Sequence, residues 1–194
     1  IFIGNKDNKG FSAANNQGIK AGSGEYIILL NNDTLVTKGW MSRLVYHLNN
    51  PAVGLVGPVS NWVGNEAKID TYYDSYEEMH KFAGEFTKEN WGKTFDIHML
   101  AMFCLGMRRQ IVDEVGYLDE NFGIGSFEDD DFSHRVRLKK YRIVCARDVF
   151  IHHEGMASFK KLEDQRYKEL FERNKHYFEG KWDIKWQPHY FQDE

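Results

Sequence analysis

The sequence has few of the residues that stabilise secreted domains, bind nucleic acids or cross membranes. Its 194 residues include two cysteines, Cys104 and Cys145, whose separation fits neither a metal-binding nor a redox motif, so a disulfide framework is excluded and a reducing compartment is expected. No stretch approaches the ~20 consecutive apolar residues of a transmembrane helix. The 29 acidic residues outnumber the 25 basic ones, which argues against nucleic acid as a partner.

The residues that are present suffice for a folded domain. Hydrophobic residues make up 42% of the chain, which is enough for a packed core and excludes disorder. Aromatic residues reach 15% and include five tryptophans; such side chains fill cores and also stack on sugars. The length fits one domain. We expect a cytoplasmic protein without a transmembrane segment, either free or peripheral to a membrane.

The first half of the sequence alternates strand and helix patterns. The apolar run Tyr26–Leu30 is typical of a strand buried on both faces, and 52–56 repeats this pattern before Gly57-Pro58 ends it. A helix at 38–49 lies between these strands, and another from Ser12, its N-cap, to Ala21 precedes them. This alternation predicts an α/β fold, an open, mostly parallel sheet flanked by helices.

Further elements are expected along the second half of the chain. These are a surface helix at 75–89, a return to the sheet at 97–105, helices at 108–115 and 130–140, short strands at 142–145 and 149–151, and an amphipathic helix at 162–178 that docks through Leu162, Leu170, Phe171 and Phe178. Because the chain starts within a strand, we expect it to be an N-terminally truncated form of a longer α/β domain.

Two polar motifs belong to the first half. Asn31-Asn32-Asp33 directly follows the buried strand, where open α/β sheets bind ligands. The Asp33 carboxylate suits Mg²⁺ or Mn²⁺, although Asn and Asp also form ordinary turns. Asn15-Asn16 lies inside a helix, which amides destabilise. A ligand-facing amide would explain this pair, and a solvated helix face is the alternative.

The acidic run Glu128-Asp129-Asp130-Asp131 follows a glycine-rich stretch, 121–126. A helix N-terminus stabilises such charges in part. Helical spacing predicts that Asp131 pairs with Arg135 and Asp130 with His134. Glu128 and Asp129 are left unexplained, and a free carboxylate beside a mobile loop is a setting for a general base.

Two adjacent histidines, His152-His153, end a short predicted strand. Successive strand residues point to opposite faces, so one of them is expected to face a site. Neutral imidazole suits a divalent metal, and a pair of half-buried or surface histidines is the alternative. The scattered histidines and cysteines do not form a structural zinc motif.

The motifs and their order resemble one family. They are 8–11 (NKGF), 14–19 (ANNQGI), 26–34 (YIILLNNDT), 57–61 (GPVSN), 108–109 (RR), 116–120 (GYLDE), 127–131 (FEDDD) and 149–155 (VFIHHEG). This series resembles family 2 glycosyltransferases of the inverting GT-A type, from the first residues to about residue 158. Each motif is weak alone, and their order and spacing together are specific.

The resemblance implies transfer of a sugar from a nucleotide diphosphate sugar, a UDP- or dTDP-sugar, to a hydroxyl of a glycan, lipid-linked or protein acceptor. Asp33 and His153 would hold Mg²⁺ or Mn²⁺. Asp129 would be the base, with Glu128 beside it. Donor contacts would come from the amides of Asn16, Asn31 and Asn32. Asn31 replaces the first acid of the family's metal motif, which removes one expected metal ligand.

The resemblance also implies a division of a single domain. Residues 1–60 would form the donor and metal half, 61–160 the acceptor and catalytic-base half, and 161–194 a C-terminal helix and tail. Aromatic residues between 62 and 91 would line the acceptor side. Family members carry about two strand-helix units before this chain's first residue, and these form the nucleotide-base pocket. The main alternative is therefore a non-catalytic sugar- or nucleotide-binding fragment; a metal-dependent phosphohydrolase would need a two-metal site.

Overall fold

The computed structural model describes residues 1–155 and 164–189. Its helices are α1 (Phe11–Ala21), α2 (Trp40–Leu48), α3 (Tyr76–Glu89), α4 (Arg109–Val115), α5 (Glu128–Leu138) and α6 (Asp164–Trp182). Its strands are β1 (Tyr26–Leu30), β2 (Thr34–Leu35), β3 (Val53–Val59), β4 (Thr94–Asp96), β5 (Cys104–Arg108), β6 (Arg142–Phe150) and β7 (His152–His153). A short 3-10 turn spans Glu120–Phe122.

Five strands form the main sheet in the order β1-β5-β3-β6-β4. β3 and β6 are parallel neighbours, and β1 has the same direction, because β5 lies antiparallel to both β1 and β3. β4 is antiparallel to β6. The sheet is thus mixed, with three of its five strands in one direction, and the expected α/β class is confirmed. β2 and β7 form a separate antiparallel pair.

The strand expected at the first residues of the chain is absent, because residues 1–10 form no strand and Ile1 and Phe2 are exposed. Three other strand boundaries differ from the sequence prediction. β3 continues through Pro58, where the β3–β6 register shifts between Pro58 and Val59; such an irregularity accommodates the missing N–H. The predicted strands at 142–145 and 149–151 are one strand, β6. The predicted strand at 97–105 is mostly a loop, and β5 starts only at Cys104. The apolar pattern has another cause, because Leu100 and Phe103 of this loop are buried against the core.

The start of α1 also differs from the prediction. Ser12 is buried inside the helix, and the N-cap is Gly10. Gly10 has φ +82°, and a Cβ there would lie 2.0 Å from the carbonyl oxygen of Gly123. The close approach of two backbones, which only glycine permits, therefore sets the start of α1. At α3 the predicted start is confirmed: the Ser75 hydroxyl accepts a hydrogen bond of 3.2 Å from the Glu78 N–H.

Two apolar clusters hold the elements together. The large one lies on the main sheet and includes Leu44 and Leu48 of α2 against β3 and β5. The small one joins α6 to the turn before α5 through the buried rings of Phe122, Phe127 and Phe178. Phe171 packs on this cluster, as predicted for the C-terminal helix; Leu162 of the same prediction lies outside the described residues. Across 1–155 and 164–189, no helix combines the length and apolarity of a membrane span.

We predict that Gly10→Ala destabilises the protein by more than about 1 kcal/mol, because it adds left-handed strain and a backbone clash. The matched control is Gly18→Ala in the interior of α1, where a Cβ meets no atom within 4 Å and is expected to stabilise by roughly 0.5–1 kcal/mol. Urea denaturation measures both. Equal effects of the two substitutions would contradict the packing role of Gly10.

Candidate active site

The β2–β7 pair brings Asp33 and His153 together. Thr34 pairs with His153 across the two strands, and the Glu154 N–H donates a 3.0 Å hydrogen bond to the Asp33 carbonyl. On the other side of the turn, the Asn31 N–H donates to the Phe103 carbonyl at 2.8 Å. As a result, Oδ1 of Asp33 lies 3.3 Å from Nε2 of His153. Residues that are far apart in the sequence thus form one pair.

The His153 ring is held on three sides. It stacks on Phe103 with a centroid distance of 4.7 Å and an interplanar angle of 11°, and it meets the Trp62 ring edge-on at 5.5 Å. Its Nδ1 lies 3.1 Å from the Trp62 carbonyl oxygen. Since a carbonyl only accepts, Nδ1 carries a proton and donates it, so in the neutral ring the lone pair is on Nε2, facing Asp33.

This geometry fits a divalent cation. Oδ1 of Asp33 is buried and has no hydrogen-bond partner among the described residues, and in the neutral ring Nε2 of His153 is a second acceptor 3.3 Å away. Two facing acceptors favour a cation between them, and an imidazole oriented by a carbonyl is a common metal ligand. Among residues 1–155 and 164–189, no cluster of three acidic, histidine or cysteine side chains is suited to a metal, so further ligands would come from elsewhere.

His152 lies on the opposite face of β7. Its Nδ1 is 2.5 Å from the Tyr73 hydroxyl, and its Nε2 is 3.4 Å from a carboxylate oxygen of the exposed Glu154. The alternation expected for adjacent strand residues is therefore observed. His153 is the histidine that faces Asp33.

The acidic run starts from an unusual turn. Ser126 and Phe127, directly before α5, have φ +77° and +74°, a conformation that non-glycine residues rarely adopt. α5 then begins at Glu128, earlier than the predicted start at residue 130. All four carboxylates thus lie in the first helical turn, where the helix dipole favours negative charge.

Two of the four carboxylates have no cationic partner within residues 1–155 and 164–189, and both hold their protons tightly. Burial raises the pKa of Glu128 to about 7, and the charge of Asp130 adds to this rise. Burial also raises the pKa of Asp129 well above its usual range, with further contributions from the charges of Asp130 and Glu128. One Glu128 oxygen is buried without a hydrogen-bond partner in the described structure. Such adjacent carboxyls titrate as a pair and retain a proton near neutral pH.

The other two carboxylates anchor the end of α6 and the residues that follow it as far as His189. Asp131 accepts hydrogen bonds from Arg135, as predicted, and from Lys181 and Trp182. Asp130 accepts from Trp186 Nε1 at 3.1 Å and lies 2.9 Å from His189 Nε2.

The predicted pairing of Asp130 with His134 is wrong. His134 Nδ1 instead lies 3.4 Å from the Arg137 guanidinium, because the chain beyond α6 folds back and supplies the donors for Asp130. Sequence reasoning missed these anchoring residues, although lysine, histidine and two tryptophans cluster between 181 and 189.

The resemblance predicts that Asn16 contacts the nucleotide, but its side chain is buried and hydrogen-bonds within the protein. It is 2% exposed. Its Nδ2 donates to the Leu118 carbonyl and the Glu120 carboxylate, both at 2.9 Å, and its Oδ1 accepts from the Leu118 N–H at 3.0 Å. Both ends of the amide are therefore used within the protein, which ties α1 to the 118–120 segment. Its neighbour Asn15 donates to the Phe11 carbonyl of its own helix.

Asn31 and Asn32 lie on the same turn as Asp33. Asn32 is exposed and Asn31 half-buried. A connection from this turn to the acidic run is made by the loop 97–103, in which Phe103 stacks on His153. The His98 carbonyl at the other end of the loop accepts a hydrogen bond from Arg137 of α5. The Asp33–His153 pair and α5 thus both contact the loop 97–103.

The comparisons with known proteins identify the family. The model of glycosyl transferase family 2 matches residues 1–116, which is more than half of the chain. The chain therefore belongs to glycosyl transferase family 2, and the resemblance seen in its motifs is confirmed.

Two curated relatives are much longer than this chain. An uncharacterized protein, y4gI, from Sinorhizobium fredii is 26% identical, and the match covers 89% of this chain and 20% of y4gI. The O-antigen biosynthesis protein RfbC of Myxococcus xanthus is 29% identical, and the match covers 76% of this chain and 12% of RfbC. The chain thus spans a fifth or less of these relatives.

A solved structure confirms the fold. The crystal structure of GalNAc-T7 with UDP, GalNAc and Mn²⁺ matches with a TM-score of 0.57 at 16% identity, covering 77% of this chain and 31% of that chain. The likeness shows a GT-A glycosyltransferase fold. At this level of identity it carries the architecture alone.

We predict that Glu128→Gln removes a pH-dependent loss of stability. Folding raises the pKa of Glu128 from 4.5 to about 7. The stabilisation that comes from its protonated carboxyl is therefore fully present below pH ~4.5 and is lost as pH rises through ~7. Each pH unit between the unfolded and folded pKa values corresponds to about 1.4 kcal/mol. The uncharged glutamine is expected to make the protein more stable than wild type at pH 8 and similar at pH 4.5. Urea denaturation at both pH values tests this. A constant difference across the range would show that Glu128 has an ordinary pKa.

Proposed function

We propose that this chain is the metal-binding and catalytic part of an inverting glycosyltransferase that moves a hexose from a UDP- or dTDP-sugar to an acceptor hydroxyl in glycan or polysaccharide synthesis. The observation that carries the proposal is the Asp33–His153 pair, in which a buried carboxylate oxygen accepts no hydrogen bond from the described residues and lies 3.3 Å from an imidazole nitrogen. Family membership, the O-antigen function in the name of RfbC, and the UDP and Mn²⁺ bound by GalNAc-T7 support it.

Asp33 and His153 are the residues that would hold Mn²⁺ or Mg²⁺. When bound, such an ion neutralises the charge that grows on a leaving diphosphate. The mixed oxygen and nitrogen pair favours Mn²⁺, because imidazole is a poorer ligand for Mg²⁺. Asn31 and Asn32, on the same turn, would hydrogen-bond the donor through their amides, as carboxamides commonly do with ribose and phosphate oxygens.

Asp129 is our candidate base. The pKa of its carboxyl is raised well above the usual range, which makes the deprotonated form a stronger proton acceptor. Glu128, with a pKa of about 7, shares the negative charge of the pair with Asp129. When the pair has lost its proton, Asp129 accepts the proton of the acceptor hydroxyl as that oxygen attacks the anomeric carbon. Attack opposite the leaving group inverts that carbon.

Exposed aromatic side chains would form the acceptor surface. Trp62 is 42% exposed and contacts His153 through both its ring and its carbonyl. Tyr72, Tyr76 and Trp91 are exposed in the segment that follows. Aromatic faces pack well against sugar rings, so a glycan, lipid-linked or protein-linked sugar is the acceptor we propose.

Cys104 and Cys145 are buried and free, which supports a reducing, cytoplasmic compartment, in solution or at a membrane surface.

We predict that Asp33→Asn weakens Mn²⁺-dependent binding of UDP by at least about tenfold, because the amide replaces an anionic ligand. Calorimetric titration of the protein with UDP and with dTDP, each with and without Mn²⁺, measures this. Asp113→Asn, at an exposed aspartate on α4, is the matched control. Metal-dependent binding that survives in Asp33→Asn would remove Asp33 from the metal site.

We predict that Asp129→Asn lowers the transfer rate by ~10²–10⁴, the usual contribution of a general base, and leaves Mn²⁺-dependent UDP affinity unchanged. Because the pKa values of Asp129 and Glu128 are both raised, that of Glu128 to about 7, the wild-type rate is expected to increase with pH as the pair loses its proton. Release of nucleoside diphosphate from UDP- and dTDP-hexoses, followed across pH, tests both statements. Metal-dependent UDP binding with no transfer from any donor would instead favour a non-catalytic binding module.

A further inference from the structure

The turn that leads into α5 is held in a costly conformation. Ser126 and Phe127 adopt positive φ angles in succession, after Gly123 and Gly125, which also have positive φ. A non-glycine residue in this region is strained, and the conformation persists only where the surroundings enforce it. The next two residues are Glu128 and Asp129, so whatever enforces the turn also sets the position of these carboxyls.

Asn174 of α6 supplies that enforcement. Its side chain is completely buried. Its Nδ2 group donates to three backbone carbonyls of the turn: Phe122 at 2.8 Å, Gly125 at 2.8 Å and Ser126 at 3.0 Å. One amide therefore bridges the beginning and the end of the turn. Because an NH₂ group has two hydrogens, one of them is shared between two carbonyls.

The orientation of this amide is determined by its neighbours. Its Oδ1 accepts from Nε of Arg173 at 3.0 Å and from Nη2 of Arg173 at 2.8 Å. Nη2 also donates to the Phe122 carbonyl at 3.1 Å. In the flipped orientation, Oδ1 would face three carbonyl oxygens and Nδ2 would face a guanidinium, so the flip is excluded by charge.

Apart from the Arg173 bond to the Phe122 carbonyl, the other contacts of the turn act on different atoms. The Phe11 N–H of α1 donates to the Ile124 carbonyl at 3.1 Å. The Phe127 ring packs against Phe171, Phe178 and Trp186. These contacts locate the middle of the turn and the Phe127 ring, whereas the Asn174 amide ties the carbonyl of the strained Ser126 to the carbonyls of Phe122 and Gly125 before it.

We propose that Asn174 is a positioning residue for the acidic start of α5: its amide holds the 122–127 turn in the conformation from which Glu128 and Asp129 extend. The proposal rests on the proposed function in assigning Asp129 as the base. Asn174 acts through the backbone of the turn and is not itself expected to touch substrate. Loss of the amide would let the turn relax and water reach the two carboxyls, which lowers the cost of ionising them.

The test is a carboxyl titration by NMR of the protein labelled with ¹³C in its aspartate and glutamate side chains, with Glu128→Gln used for assignment. In Asn174→Ala, the midpoint of Glu128 is expected to fall by about one pH unit or more toward its ordinary value. Thr87→Val is the matched control, since it removes another buried bond from a side chain to a carbonyl, that of Asp148. There the midpoint is expected to stay near that of wild type.

Asn174→Ser, which keeps one short donor, replaces the alanine variant if the latter does not fold. An unchanged Glu128 midpoint in a folded Asn174 variant would overturn the proposal. An equal fall in Thr87→Val would overturn it as well, because general destabilisation would then explain the effect.

A kinetic measurement separates this proposal from the proposed function. Asn174→Ala is expected to reduce kcat at least about tenfold and to shift the pH dependence of the rate to lower pH, with donor KM and Mn²⁺-dependent UDP affinity unchanged. An Asp129→Asn variant with wild-type transfer would contradict the base assignment, while the NMR titration would still decide the role of Asn174. A pH profile identical to that of wild type in Asn174→Ala would contradict the positioning role.

Discussion

The register of the short β2–β7 pair is the constraint on which the candidate active site depends. Because side chains alternate along a strand, a slip of one residue would place His152 beside Asp33 and turn His153 away. Two residues outside the pair resist such a slip. Asn61 brackets the backbone of His153, accepting from its N–H at 2.9 Å and donating to its carbonyl at 3.2 Å. Gly155, with φ +68°, lies so close to Trp62 that a Cβ would be 2.3 Å from the indole. A very short strand is thus aligned by side-chain hydrogen bonding and by close packing at its end.

The acidic start of α5 divides four adjacent carboxylates into two kinds. Asp130 and Asp131 are compensated by donors from α6 and the residues that follow it, so their charges contribute to holding the 181–189 segment in place. Glu128 and Asp129 are buried beside those charges and have no comparable donors in the part of the chain that the structure describes, so the pKa values of both rise. The arrangement that stabilises one pair therefore perturbs the other. A helix with four acids in its first turn tolerates this because its dipole lowers the cost of negative charge there.

Local physical chemistry explains which features are predictable from the sequence. The strand at Tyr26–Leu30, the helix at 75–89 and the Asp131–Arg135 pair depend on neighbours in sequence, and all three are found. The expected burial of Tyr26–Leu30 on both faces is wrong, because β1 is an edge strand of the sheet and its Leu30 is 42% exposed. The choice of Asp33 and His153 comes from the family resemblance, and the structure places them together. The misses involve partners far away in the chain. Two amides destabilise a helix, which favours a ligand for Asn16, but Leu118, 102 residues away, satisfies its amide. The partners of Asp130 lie beyond residue 182 and outside its own helix. The insertion of β5 between β1 and β3 is likewise set by tertiary pairing, which periodicity does not encode.

The hydrogen bonds from Asn174 join two segments that the ribosome synthesises at different times. The carbonyls that its amide holds belong to residues 48 to 52 positions earlier in the chain. A ribosome therefore synthesises every strand of the sheet, both members of the Asp33–His153 pair and all four acids of α5 before it synthesises Asn174. During that interval the nascent chain contains Asp33 and His153 but lacks the Asn174 amide that bonds to the 122–127 turn. The native hydrogen bonds to the 122–127 turn can therefore form only after α6 has been synthesised, later than the synthesis of every strand of the sheet.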